Sequence, residues 1–365
     1  MQPRTVLFVI ANLEYSGAAR QLSLLPANLP PESFRVRVAV LGAETPWVAS
    51  LRNQGVDVEV LGWRRPFDLL PFMALRRLVK SMRPDVIHVW GTTALRVVIL
   101  TGSPTKNLLV SGALSFARQT NRVDRWLVTH SGGVIALGAA EAERYRRLGV
   151  SEARTTVASP AMPPPTPPKL GGVGGGAVKP VELPRVKTND RIILGLGPIE
   201  THKGFREAVW AFDIVRHLYD DVHFVMIGDG SDRQRVQQFA QQIDVRDHVH
   251  FLGHCIETAS YLHRADLVWV PSLRGGGVCA ALEAMAAGRP VIAARLPELA
   301  EIVVDGETGF LVEPNNKAAL ARQTRLLLDD PSRRQQMGQS GQQHVQRNFN
   351  VERFVEACAR RYAGG

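Results

Sequence analysis

Short runs of β-forming residues alternate with longer stretches of helical periodicity along almost the whole chain, and a single proline- and glycine-rich segment interrupts them. Before the interruption, Thr5–Ile10, Arg35–Val40, Val56–Val60, Asp85–Val89, Asn107–Val110 and Gly133–Ala136 read as strands. Gly17–Asn28, Thr45–Gln54, Leu69–Met82 and Ala139–Leu148 carry apolar residues at helical spacing. After it, strands are expected at Arg191–Leu196, Val222–Ile227, His248–Leu252, Ala265–Val270 and Pro290–Ala293. Helices fit Gly204–Leu218, Asp232–Gln242, Thr258–Arg264, Cys279–Ala287 and Lys317–Asp329, and the tail from Pro331 to Arg361 is helical in pattern. Strand–helix alternation requires a parallel sheet covered on both faces, and near-continuous apolar strands fit that burial. The fold class is therefore α/β, with two Rossmann-like, doubly wound domains. Expected boundaries are residues 1–160 for the first domain, 161–186 for a Pro/Gly-rich linker, 187–345 for the second domain and 346–365 for a C-terminal helix.

A chain of 365 residues suits two such domains. Three scattered cysteines (Cys255, Cys279, Cys358) argue against a disulfide scaffold and fit a reducing cytosol. The first apolar run, Val6 to Ala11, is too short for a signal-peptide core or a membrane span, so a cytoplasmic protein is expected. The formal charge of +10 is uneven: 20 Lys/Arg against 11 Asp/Glu up to Pro160, which leaves 24 against 23. A basic half attracts phosphate-bearing partners. No zinc-knuckle spacing, aromatic RNA-binding signature or basic arm accompanies it, so nucleic acid is not expected and a peripheral contact with an anionic membrane is the better expectation. Leu69–Met82 is the element concerned. Leu69, Phe72, Met73, Leu78, Val79 and Met82 fall on one side, and Arg76, Arg77, Lys80 and Arg83 largely on the other. Two readings stay open: the apolar stripe packs on the sheet and the basic face is solvated, or the helix lies on anionic lipid.

Four segments of the second half carry the candidate chemistry. Leu194-Gly-Leu-Gly-Pro-Ile-Glu-Thr-His-Lys-Gly204 follows a strand and opens a helix, and Lys203 adds a full positive charge to a helix start that favours anions. Ile227-Gly-Asp-Gly230 and Phe251-Leu-Gly253 end further strands. Pro271-Ser-Leu-Arg-Gly-Gly-Gly-Val-Cys279 leads into a helix that contains Glu283 and stops at Gly288. A glycine loop and helix N-terminus can cradle a pyrophosphate through backbone N–H groups, and a carboxylate at Glu283 suits a ribose diol.

From about Ile192 to Pro314 these motifs, closing with Val304-Asp-Gly-Glu-Thr-Gly-Phe-Leu-Val312, resemble glycosyltransferase family 4, retaining enzymes of the GT-B fold in the glycogen synthase-like superfamily. In the first half, Ser16-Gly-Ala-Ala-Arg20 is similar to the family's first glycine turn, and Pro84-Asp-Val-Ile-His88 to its fourth strand. The resemblance implies two domains facing across a cleft, the first on the acceptor side and the second binding a nucleotide-sugar. It implies a hexosyltransferase-like enzyme whose donor is a substrate, with no cofactor and no metal, and whose acceptor is an unspecified glycan or lipid-linked hydroxyl. Lys203 and Glu283 would be the catalytic pair, holding diphosphate and ribose. Gly17, Gly197, Arg274, Gly275, Gly276, Gly277, Val278 and Cys279 would line the donor.

Departures from the pattern are specific. Gly275 stands where the family has the first of two glutamates eight positions apart, and Pro198 stands where an arginine usually follows the glycine. The family's histidine is missing near Val110–Ala113, and Ser159-Pro-Ala-Met replaces Pro-Asn-Gly. Arg274 is a candidate substitute for the missing cation. Two alternatives follow: a catalytically silent GT-B protein that binds a nucleotide or glycan or scaffolds partner enzymes, and, less favoured, a sugar-nucleotide epimerase on the same fold.

Overall fold

The computed structural model describes residues 2–13, 16–63, 68–112, 122–162, 183, 186–255 and 258–364. They form two compact units, one of residues 1–161 with 351–365 and one of residues 162–350.

Among the described residues the first unit has seven strands: β1 (Arg4–Ile10), β2 (Phe34–Val40), β3 (Val58–Val60), β4 (Val86–Trp90), β5 (Leu108–Ser111), β6 (Gly133–Ala136) and β7 (Thr155–Val157). All pair in parallel, in the order β3-β2-β1-β4-β5-β6-β7. Its helices are α1 (Gly17–Leu24), α2 (Pro46–Asn53), α3 (Leu69–Met82), α4 (Thr92–Leu100), α5 (Arg122–Thr129) and α6 (Ala139–Leu148). Side chains alternate along each strand, so one strand feeds two cores. Val6, Phe8 and Ile10 of β1 join α1 and α2, whereas Leu7 and Val9 join α3, α4, α5 and α6 on the opposite face.

The second unit holds β8 (Arg191–Leu196), β9 (Val222–Ile227), β10 (Val249–Gly253), β11 (Leu267–Val270), β12 (Val291–Ala294) and β13 (Gly309–Val312). They form a parallel sheet in the order β10-β9-β8-β11-β12-β13. Its helices are α7 (Phe205–Arg216), α8 (Arg233–Gln242), α9 (Ala259–Arg264), α10 (Val278–Ala286), α11 (Pro297–Ala300), α12 (Lys317–Asp329) and α13 (Pro331–Asn348). All six residues of β9 are buried, as a strand covered on both faces requires. In each sheet the order reverses once, between β1 and β4 and between β8 and β11. Such reversals open a crevice beyond the carboxyl ends of the strands, where ligands of open α/β sheets bind.

The last helix, α14 (Val351–Ala363), returns to the first unit. Phe354, Val355, Cys358 and Tyr362 are spaced to form one stripe and are buried in that unit's core. Residues 346–348, expected in the C-terminal helix, belong instead to α13, and the chain breaks helix at Phe349–Asn350 before α14 begins. Linker residues 163–182 lie outside the described residues. The described flanks are docked: Ala161 exchanges two hydrogen bonds of 2.8 Å with the buried Gln21 side chain, and Met162 and Leu183 join the second unit's core.

The exposed face of α3 differs from the expected one. Pro71, Leu75 and Leu78 face the sheet, while Leu69, Leu70 and Met73 are 69%, 75% and 46% exposed. The apolar stripe therefore packs inward only in part; the first turn turns its leucines outward. Among the described residues no helix is long and apolar enough to cross a membrane.

Candidate functional site

The residues singled out in the second half follow β8 and β11, the two strands that flank the reversal of the sheet. After β8, Gly197 turns the chain, and Thr201–Lys203 forms one 3-10 turn that ends at Gly204 with φ of 71°. That left-handed conformation suits glycine. Contact reinforces it, since a Cβ on Gly204 would overlap the carbonyl oxygen of Pro271 at the end of β11. The next residues complete the junction: the Leu273 and Arg274 N–H groups both donate to the His202 carbonyl, at 2.8 and 3.3 Å. The loop after β8 is thus bonded to the loop after β11, and Lys203 is carried toward the start of α10.

Lys203 is half-buried. Burial lowers its pKa from the ordinary value of 10.5, and Glu200, Cys279 and Glu298 oppose that shift by their charge. Cys279 and Glu298 therefore lie within electrostatic reach of the ammonium. Beside it, His202 is lowered by burial first and then by Lys203, against Glu200, whose carboxylate lies 3.2 Å from Nδ1. Arg274 is exposed, and its charge contributes to the lowering of His202, which places it near the same turn.

Gly275, Gly276 and Gly277 are consecutively left-handed, with φ of 58°, 79° and 89°. Three residues in that region without penalty require three glycines. The run delivers the chain to α10, whose N-cap Gly277 provides no side-chain cap. First-turn N–H groups lack partners within their own helix, so this start, with Val278 and Cys279 as its first two residues, favours an anion. The Gly276 N–H is engaged otherwise: it donates to Glu298 Oε1 at 3.0 Å. Glu298 sits on α11, is nearly buried, and was not anticipated from sequence; the one signal was a Leu-Pro-Glu step that opens a short helix after β12. Glu283 is 6% exposed in the interior of α10, and Thr258 Oγ1 donates to its Oε2 at 3.2 Å.

The two strand-end turns beside this site are structural partners of its first loop. The Gly228 N–H donates to the Gly253 carbonyl at 2.8 Å, and the Ile199 N–H to the Asp229 carbonyl at 2.9 Å. Lys203, Arg274, Gly275, Gly276, Gly277, Val278 and Cys279 are thus brought together through the Gly204–Pro271 junction, and Gly197 lies at the root of the same loop. Gly17 belongs to the first unit, as the first residue of α1, where Ser16 Oγ caps the helix by accepting from the Ala19 N–H at 3.2 Å.

One consequence is testable within this unit. Glu298→Ala leaves the Gly276 N–H without its carboxylate, and a hydrogen bond to a charged group contributes roughly 1.5–3 kcal/mol. Thermal denaturation is expected to show destabilisation of about that size, whereas Glu298→Gln, which keeps an acceptor oxygen, is expected to lose less than half as much. Equal losses in both variants would show that the carboxylate does not hold the loop.

Comparison with known proteins places the chain. Residues 182–344 match the model for "Glycosyl transferases group 1", and residues 16–161 match that for a "Glycosyl transferase 4-like domain". Glycogen synthase of Mycobacterium tuberculosis is 28% identical over 301 residues, 78% of this chain and 69% of that protein. The putative glycosyltransferase EpsD of Bacillus subtilis is 25% identical, covering 82% of each chain. HepE of Anabaena, crystallised with UDP-glucose, superposes with a TM-score of 0.82 at 20% identity, over 99% of this chain and 100% of that one, a likeness of fold. The chain belongs to the family 4-like, group 1 glycosyltransferases of the GT-B fold.

Proposed function

We propose that this chain is a retaining glycosyltransferase of hexosyltransferase type that uses a nucleoside diphosphate sugar. The observation that carries the reading is the Gly204–Pro271 junction, which sets one half-buried ammonium against a glycine-lined helix start. A diphosphate held between Lys203 and the first turn of α10 would have its developing negative charge stabilised as it leaves the anomeric carbon. The acceptor hydroxyl would then attack the face the diphosphate departs from and give its proton to the departing phosphate oxygen, which preserves the anomeric configuration. This is electrostatic preorganisation, with fixed donors aimed at charge that grows in the transition state. Glu283 would accept hydrogen bonds from the ribose hydroxyls. UDP-glucose in the Anabaena crystals and the likeness to glycogen synthase of Mycobacterium tuberculosis support a nucleotide-sugar donor. An acceptor carried at a membrane surface fits the basic first half.

A panel of UDP-, GDP- and ADP-sugars, read by thermal shift and by donor turnover, tests the proposal, since a ligand of the native state raises its melting point. One base is expected to stand out. Glu283→Ala is expected to weaken binding of that donor by roughly 10- to 100-fold, the value of one hydrogen bond to a carboxylate; unchanged affinity would remove its ribose role. Gly275 and Pro198, which replace a carboxylate and a cation, favour a second reading, a binding protein without transfer. Donor binding with no hydrolysis or transfer would select it, and neither binding nor turnover would remove the enzyme reading.

A further inference from the structure

We propose that the outward face of α3 and α5 in the first unit docks on an anionic lipid bilayer. This assignment rests on the part of the proposed function that places the acceptor at a membrane surface, but lipid binding is measured without donor or acceptor, so either idea can fail alone.

The two helices lie on the same face of the first sheet, on either side of α4, and all three bury residues in one core. Packed helix axes are about 8–10 Å apart, so α3 and α5 are roughly 20 Å from each other. Both begin at the rim where the strands end. On α3, Leu69, Leu70 and Met73 are exposed in the first turns, followed on the exposed side by Arg76, Arg77 and Lys80. On α5, Val123 and Trp126 are each 54% exposed and stand beside exposed Arg122 and Arg125. Trp126 is held in place by stacking on His130, with ring centroids 4.5 Å apart.

Among the described residues the charge on this face is predominantly positive. α3 contains no acidic residue, and the half-buried Asp68 before it is used to cap the helix, accepting from the Leu70 N–H at 3.1 Å. The acidic residue of α5, Asp124, is buried and takes two hydrogen bonds of 2.7 Å from Arg96 of α4. That bidentate pair fixes the rotation of α5 and removes its carboxylate from the surface.

The combination selects the occupant. Exposed leucines, a valine and a tryptophan suit hydrocarbon and the headgroup boundary, which a nucleic acid backbone does not offer. Five cations against the one half-buried carboxylate of Asp68 would repel a second copy of the same face, as a two-fold contact would require. Anionic headgroups satisfy the cations while the apolar side chains enter the interface, and each cation near such a surface adds attraction.

Co-sedimentation of the full chain with phosphatidylcholine vesicles, with and without phosphatidylglycerol, tests this at low salt. Binding is expected only where phosphatidylglycerol is present. The triple variant Arg76→Glu, Arg77→Glu, Arg122→Glu is expected to lose about tenfold or more of that binding. Leu69→Ser, Leu70→Ser, Trp126→Ser is expected to lose it too, with melting temperature and nucleotide-sugar affinity at wild-type values. Unchanged binding in folded variants of both kinds, equal binding to both vesicle types, or a wild-type dimer in light scattering that the serine variant dissolves would each overturn the assignment.

Discussion

Gly204→Ala is expected to reduce donor affinity by about a hundredfold and to destabilise the second unit by roughly 3 kcal/mol. Two costs add. A φ of 71° is costly for a residue with a Cβ, by about 1–2 kcal/mol. The Cβ would also overlap the Pro271 carbonyl, which is backbone and cannot rotate away as a side chain would. Relief requires the turn after β8 to separate from the loop after β11, which strains the bonds from Leu273 and Arg274 to His202 and moves Lys203 from the start of α10. Calorimetry against the preferred nucleotide-sugar, with a melting curve of the same variant, checks both effects. A variant that melts earlier but binds the donor normally would show that the junction serves stability alone.

Acid is expected to destabilise the first unit through His88, which lies beneath the returning α14. Ser111 Oγ donates to the Ile135 carbonyl at 2.7 Å, so it accepts from His88 Nε2–H at 2.9 Å. His88 Nδ1 then accepts from the Tyr362 hydroxyl at 2.7 Å. The ring is neutral and satisfied at both nitrogens, with Phe8, Trp90 and Tyr362 around it. Burial lowers its pKa from 6.5 to about 3, and burial also pushes the neighbouring Tyr362 well above 10.0 and Cys358 up to about 12. The unfolded chain therefore binds the extra proton first as pH falls. Stability from this group is complete above pH 6.5 and is lost on descending towards about pH 3, by at most roughly 5 kcal/mol. Unfolding measured between about pH 7 and about pH 4 should show that slope in the wild type and a flatter one in His88→Asn, whose baseline stability is lower. Identical slopes would assign the acid sensitivity to other groups.

These two sites show what the sequence could and could not reveal. The limits of α3 and α6 match their helical periodicity residue for residue, and β8 and β9 match their apolar runs. α4 was missed because Thr-Thr-Ala-Leu-Arg-Val-Val-Ile-Leu is apolar and β-branched on nearly every side, so no helical stripe stands out. β7 is three half-exposed or exposed residues whose strand character comes from pairing with β6. The glycine run and Lys203 were legible because backbone conformation and charge are local properties. Glu298 was not, because its role arises from a contact 22 residues away, and the His88–Tyr362 bond spans 274 residues. The exposed leucines of α3 follow from the same limit: periodicity tells which residues share a side, while packing against β-strands and α4 decides how far the buried side extends.

Binding of the preferred nucleotide-sugar to wild type and Lys203→Ala, titrated by calorimetry from neutral to alkaline pH, tests whether Lys203 holds the diphosphate. The lost ammonium is expected to weaken binding roughly 10- to 100-fold at neutral pH, the equivalent of one charge-assisted hydrogen bond. Because burial lowers the pKa of Lys203, wild-type affinity should also decline as pH rises through that lowered value, and the alanine variant should lack the decline. Equal affinity in the two proteins, with the same response to pH, would contradict a diphosphate held by Lys203 at the start of α10.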